Sequence, residues 1–218
     1  MKILGSPEGG ELEILPDPGR LARLGAAAEA GRKFLVIQEE QPAEALAWIL
    51  ASFHSALTAV PLDPRLPEAE KSRALAQLPV GEWIETGHLP APALAGEPKS
   101  ADAAWVVIFS SGTTGQPKGV AISGRALRSA ALAHSAHVGR HSWLLNLPLH
   151  HIGGFSVASR AFFLDTALGI SGPGPEEAAR WLRSGLVAGA SFVPTTLTRL
   201  LREFPGPFSP SFRVALLG

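Results

Sequence analysis

Residues 110–119 read SSGTTGQPKG, and the chemistry of this stretch sets how the rest of the chain is read. Three glycines, four hydroxyl side chains, one proline and a single lysine, Lys118, follow one another without a large apolar group. Such a run cannot build a core. Just before it, Ala104–Phe109 (AWVVIF) is a short apolar run suited to a buried strand. A helical pattern follows from Gly124 to about His137. Open α/β sheets receive their ligands at the carboxyl ends of strands, which is where this loop sits. Gly112, Gly115 and Gly119 permit positive φ and close backbone approach. Their N–H groups can converge on an anion, with hydroxyls added by Ser110, Ser111, Thr113 and Thr114 and a point charge by Lys118. The bland alternative is a flexible surface linker, since Gly, Ser and Thr are common in loops. A position between a buried strand and a helix favours the anion loop.

Spacing excludes two other phosphate loops. A P-loop requires Gly-Lys-Ser/Thr, whereas Lys118 follows Pro117 and precedes Gly119. No G-x-G-x-x-G fingerprint occurs either.

Composition narrows the classes further. Across 218 residues, 19 Lys and Arg balance 19 Asp and Glu, so no global field draws nucleic acid or an anionic membrane. Any anion must be caught locally. Cysteine is absent, which removes disulfides, thiolate zinc sites and thiol catalysis and suits a reducing cytoplasm. The opening MKILGSPEGGE lacks the apolar core of a secretory signal. No run approaches the roughly 18 apolar residues of a membrane span. A cytoplasmic protein without stable membrane insertion is expected.

Elsewhere short apolar runs alternate with helical patterns. Strands are expected at 33–38, 58–62, 143–147, 167–171, 189–193 and 214–217. Helices are expected at 42–57, from Pro67 through Leu78, and at 155–164, 175–183 and 194–203. Strand, helix, strand in this order argues parallel crossovers. The Pro- and Ala-rich Gly87–Ser100 (GHLPAPALAGEPKS) reads as a linker between a first α/β unit, 1–86, and a second, 101–218. The fold class expected is α/β, with mixed, largely parallel sheets flanked by helices.

FSSGTTGQPKGV (109–120) closely resembles the signature phosphate loop of the adenylate-forming superfamily, which includes acyl-CoA synthetases, luciferases and peptide adenylation domains. The resemblance continues through TAVPLDPRLP (58–67), PLHHIGG (148–154), SFVPTTLTRLL (191–201) and FRVALLG (212–218), in the family's order. It implies a two-step reaction in which a carboxylate attacks the α-phosphate of ATP, after which a thiol, usually that of coenzyme A, displaces AMP. By the same resemblance Ser110–Lys118 would hold the β- and γ-phosphates, Mg²⁺ would bridge phosphate oxygens, and His151 would lie between the acyl pocket and the phosphates. Lys118 and His151 are thus the catalytic candidates, and no protein metal site is expected.

Arg160 stands nine positions after His151, inside the otherwise apolar FSVASRAFFL (155–164). A lone arginine on such a helix can simply snorkel to water. The His-plus-nine-Arg spacing, however, resembles that of o-succinylbenzoate–CoA ligases of menaquinone biosynthesis, in which the arginine meets the carboxylate that is not activated. Gly153, Gly154 and Ser156 would leave room for an aromatic ring. The substrates implied are ATP, an aromatic dicarboxylic acid and CoA. Another acyl- or aryl-CoA ligase, or a non-catalytic binding domain of the same fold, are the alternatives, and a homo-oligomer stays open.

The remaining histidines carry less. His134, His137 and His141 are spaced three and four apart, but no nearby carboxylate supports a metal site, and a solvated helix face is the expectation. His150 is expected to pack or to form pocket wall, and His54 and His88 belong to no constellation. Before Phe34 the family's opening strands and helix are not evident. The family's later glycines, its aromatic-Gly-x-Thr-Glu motif with the Mg²⁺-binding glutamate, its ribose aspartate and its mobile domain with a catalytic lysine have no counterpart. The chain therefore resembles an incomplete N-terminal domain of such an enzyme, a truncated form expected not to complete thioester formation alone.

Overall fold

The computed structural model describes residues 1–12, 17–89, 100–110, 116–172 and 174–218. In chain order the strands and helices begin with β1 (Ile3–Ser6), β2 (Gly10–Leu12), α1 (Pro18–Glu29), β3 (Phe34–Ile37), α2 (Pro42–Phe53) and β4 (Thr58–Pro61). Next come α3 (Glu68–Leu75), β5 (Trp83–Glu85), β6 (Ala104–Ser110), β7 (Lys118–Ser123) and α4 (Gly124–Val138). The remainder is β8 (Trp143–Leu145), α5 (Ile152–Leu164), β9 (Leu168–Ile170), α6 (Pro175–Ser184), β10 (Gly189–Phe192), α7 (Pro194–Glu203) and β11 (Val214–Leu217). The α/β class read from the sequence is the class observed.

The chain contacts gather residues 14–126 into one unit and 1–13 with 127–218 into another. This differs from a break at 87–100. The reason is hydrogen bonding: β6 pairs with β4, so the strand after the proline-rich stretch joins the sheet before it. Residues 90–99 of that stretch lie outside the described residues.

In the unit 14–126 a five-stranded sheet runs β5-β3-β4-β6-β7. The first four strands are parallel and β7 returns antiparallel to β6. Buried Val36, Val60, Leu62, Leu75, Leu78 and Val107 form a core cluster there. The helix α2 starts on Pro42, whose fixed φ suits a first turn, and every residue from Ala45 to Phe53 is buried. Its burial on all sides explains why its sequence is apolar nearly throughout.

In the other unit a six-stranded sheet runs β11-β10-β8-β9-β1-β2, parallel except for β2. The chain leaves β8 for β9 on one side, then crosses back to β10 on the other. The order therefore reverses around β8, and a crevice is expected outside the carboxyl ends of β8 and β10. Trp143, Trp181, Phe155 and Phe192 are the largest fully buried side chains of this unit. Trp143 faces Gly189 across the β8–β10 ladder, where a Cβ would stand 2.9 Å from its ring. Gly189 thus makes the space in which that indole lies flat.

Two sequence expectations are corrected. Before Phe34 the chain does form two strands and a helix, β1, β2 and α1, with Asp17 capping α1 through Gly19 N at 3.1 Å and Arg20 N at 3.3 Å. After the glycine-rich stretch the chain first makes β7, which pairs antiparallel with β6, and only then the helix α4 expected to follow directly. None of the helices among the described residues is long and apolar enough to cross a membrane.

Candidate functional site

At the carboxyl ends of β8, β10 and β11 opens a cavity of about 1010 Å³. The segment after β8 contributes Asn146, Leu147 and Pro148, β10 and its exit contribute Ser191, Phe192 and Val193, and β11 contributes Leu216 and Leu217. The first turns of α5, α6 and α7 also reach it, through Gly153, Pro175 and Thr195. Helix N-termini carry partial positive charge and unsatisfied N–H groups, so this end of the sheet favours an anion.

One face of α5 forms a wall. Gly153, Ser156 and Arg160 are spaced three and four apart, hence on one side of the helix, and all line the cavity. Gly154 is buried, and a Cβ there would lie 2.2 Å from the Pro148 carbonyl oxygen and 2.5 Å from that of Leu147. Its lack of a side chain lets the helix start against the β8–α5 connection, a tighter requirement than room for a ligand ring. His151 is the N-cap of α5 with extended backbone (φ −105°, ψ 146°) and no side-chain capping bond. Its exposed imidazole lines the cavity and packs against the His150 ring at 4.5 Å. Of the two roles expected for His150, packing is therefore the one seen.

Arg160 does not snorkel out to water: only 8% of it is exposed. Its guanidinium lies over the Trp143 ring with Cζ 4.3 Å from the centroid. Nη1 stands 3.5 Å from His134 Nδ1, while Nε and Nη2 are buried without a hydrogen-bond partner. Among the described residues no carboxylate pairs with it. Burial lowers its pKa to about 10, which leaves it a cation at neutral pH. A buried unpaired charge costs several kcal/mol, and the indole face returns only about 2. That imbalance is what an incoming anion would remove.

The loop residues belong to the other unit. Ser110 ends β6 and Lys118 begins β7 as register partners, and the Ser110 hydroxyl donates to the Lys118 carbonyl at 3.4 Å. Both residues are exposed, and the Lys118 ammonium makes no ion pair among the described residues. Ser111, Gly112, Thr113, Thr114 and Gly115, expected to cradle an anion, lie outside the described residues. Gly119 departs from its expected part. It sits in β7 without a positive φ, and its N–H is already taken by Gln77 Oε1 at 3.2 Å. A Cβ at Gly119 would come within 3.1 Å of Phe109, so close cross-strand approach is its role.

Sequence reading missed four residues. Trp143 and His134 surround Arg160, Asn146 places a buried, unpartnered amide oxygen in the cavity wall, and Gln77 supports the hairpin. His134 also corrects the solvated-face expectation, since its half-buried ring meets Trp143 edge-on at 5.3 Å. Nothing in the spacing of these residues announces a site; each matters only through a tertiary neighbour.

The sheet is parallel but for β2, and Arg160 lines the cavity from α5 with its guanidinium over Trp143, the first residue of β8. The chain belongs to the AMP-binding enzyme family, whose profile matches residues 20–218. It is 34% identical over 116 residues to the 2-succinylbenzoate–CoA ligase of Listeria monocytogenes serotype 4b (strain F2365), a match covering 51% of this chain and 25% of that protein. Its fold is similar to o-succinylbenzoate CoA synthetase from Bacillus subtilis in complex with the acyl-adenylate intermediate, with TM-score 0.82, 24% identity and coverage of 99% and 64% of the two chains. The same enzyme in complex with ATP and magnesium ion aligns with TM-score 0.78 at 21% identity over 99% of this chain and 65% of that one. The chain thus spans less than two thirds of these relatives.

Proposed function

We propose that this chain carries the ATP-phosphate loop and the acid pocket of an AMP-forming acid–CoA ligase whose acid is 2-succinylbenzoate. Arg160 carries the reading. A buried cation with two unmet N–H donors, in the wall of the cavity, matches a carboxylate. A monocarboxylate consumed at its only acid group has none to spare, whereas a dicarboxylate keeps one. The ligase named among the relatives agrees with that chemistry.

In the first step a carboxylate oxygen of the acid bonds to the α-phosphorus of ATP as the α–β bridging bond breaks and pyrophosphate leaves. In the second, the sulfur of CoA attacks the acyl carbon and AMP departs. Ser110, Ser111, Gly112, Thr113, Thr114, Gly115 and Lys118 would take the β- and γ-phosphate charge through N–H, hydroxyl and ammonium donors. His151 would face the reacting carboxyl group, with Gly153 and Gly154 beside the acyl moiety. Mg²⁺ would arrive with ATP as part of that substrate; no cluster of three His, Cys, Asp or Glu side chains capable of holding a metal occurs among the described residues. The cytoplasm, which supplies ATP and CoA, is the compartment this chemistry suits.

Pyrophosphate exchange into ATP, driven by a panel of carboxylic acids, tests the reading. 2-Succinylbenzoate should drive exchange well above benzoate or a fatty acid. Equal exchange with all acids would leave only an unspecified acyl-CoA ligase, and no exchange with any would favour a binding domain.

A further inference from the structure

The guanidinium of Arg160 has two hydrogen-bonding edges, and they are not equivalent here. The edge formed by Nε and Nη2 is the one that receives a carboxylate in parallel, two-point fashion. Both of its nitrogens are buried and unpartnered. On the opposite side Nη1 faces His134 Nδ1 at 3.5 Å. The indole of Trp143 supports the guanidinium plane from below, but a flat aromatic face does not fix rotation within that plane. Only a group at one edge can do so.

We propose that His134 is a positioning residue for Arg160: its neutral imidazole, protonated on Nε2, accepts from Nη1 and so fixes the rotation of the guanidinium, leaving the buried Nε–Nη2 edge unpartnered for the second carboxylate of the substrate once it enters. The inference rests on the dicarboxylate reading of the pocket. Arginine donates through every nitrogen, so the histidine nitrogen facing it must be the unprotonated one. The surroundings of His134 favour the neutral ring, while its Nε2 is buried without a hydrogen-bond partner. Burial, then the Arg160 charge and His137 on its own helix, lower its pKa below the ordinary value, and the neighbour from β8 is the uncharged Trp143. Protonation at low pH would place a second donor and a second positive charge against Nη1, breaking the contact.

The sign of the pH effect separates this role from plain electrostatics. An added positive charge alone would attract a dianion, so affinity would rise as His134 protonates. Loss of the positioning contact makes it fall.

Binding of 2-succinylbenzoate to the 218-residue chain, measured by calorimetry from about pH 5.5 to 8, reads this directly. The unaltered chain should bind more weakly as pH drops through the His134 titration, which nitrogen NMR of the imidazole would follow along with its Nε2–H tautomer. His134→Asn offers an amide oxygen where Nδ1 stood and does not titrate; it should keep near-normal affinity and lose the pH dependence. His134→Ala should bind about tenfold more weakly, the loss of one charged hydrogen bond. Benzoate affinity should move little in either variant. If His134→Ala binds normally, or His134→Asn keeps the pH profile, the positioning role is overturned while a weakened Arg160→Ala variant would preserve the pocket reading. If Arg160→Ala also binds normally, or the unaltered chain does not bind, both fall.

Discussion

Gln77 and Gly119 are joined across the open edge of a sheet: Gln77 Oε1 accepts from Gly119 N at 3.2 Å, while Gln77 Nε2 donates to the Pro117 carbonyl at 2.5 Å. β7 is an edge strand, and the amide of Gln77 completes its hydrogen bonding as a further strand would. The two anchored residues flank Lys118, so the clamp fixes the backbone that carries the ammonium.

Gln77→Ala should therefore speed hydrogen exchange at the Gly119 amide and cost about 0.5–1.5 kcal/mol of stability, as for a typical exposed pair of neutral bonds. Exchange at Gly119 as slow as in the unaltered chain would show that the clamp does not hold in solution.

Lys118 itself should be dispensable for folding, being exposed on β7 and unpaired among the described residues. Lys118→Ala should weaken the adenylation step by about 1.5–3 kcal/mol, the range for a charged hydrogen bond. Pyrophosphate exchange reads that step alone. Exchange as fast as in the unaltered chain would contradict phosphate binding by this residue.

Gly154→Ala forces a Cβ to within 2.2 Å of a backbone carbonyl oxygen, and neither α5 nor the β8–α5 connection has a flexible side chain there to move aside. The substitution should destabilise the protein by about 1–3 kcal/mol or more. Chemical denaturation measures it, and an unchanged midpoint would mean that the close approach is relaxed in solution.

Arg20 and Glu44 form a two-point pair at 2.7 and 2.8 Å, with the guanidinium also over Trp48 at 4.5 Å. The hydrogen bond from Arg20 holds the Glu44 carboxyl below its ordinary range. A lowered carboxylate pKa stabilises fully above the unfolded value, near ~4.3, and the gain is lost as pH falls through the folded value. Because Glu44 is 42% exposed, the effect should be only about 0.2–1 kcal/mol. Urea midpoints of the unaltered chain and Glu44→Gln should differ at pH 6 and converge toward pH 3. A gap that persists at pH 3 would assign the difference to packing.

Much of this was legible in the sequence where local and tertiary preferences agree. The strands at β6, β8 and β10 are buried and read as apolar runs, and α6 and α7 begin on Pro175 and Pro194, which mark a first turn. What escaped has weak local signals. Strand β1 is only four residues long and is made by pairing with β9, far along the chain. The helix α1 contains Gly19 and Gly25, which mask its period, and β7 is exposed over Lys118–Ala121, so it shows no apolar run. At the site, Arg160 was visible as a charge in an apolar helix. Its partners were not, because His134 and Trp143 reach it from α4 and β8, and sequence spacing carries no trace of that meeting.

The pocket's choice of acid turns on Arg160, and one comparison reaches it most directly. The KM for 2-succinylbenzoate and for 4-oxo-4-phenylbutanoate, which lacks the ring carboxylate, would be measured by pyrophosphate exchange in the unaltered protein, Arg160→Ala and Arg160→Lys. Loss of a two-point charged contact should raise the KM for the dicarboxylate by about 10- to 100-fold in Arg160→Ala, with partial recovery in Arg160→Lys and an unchanged KM for ATP. The monocarboxylate should be nearly indifferent. Equal losses for both acids would make Arg160 a structural residue and contradict its recognition of a second carboxylate.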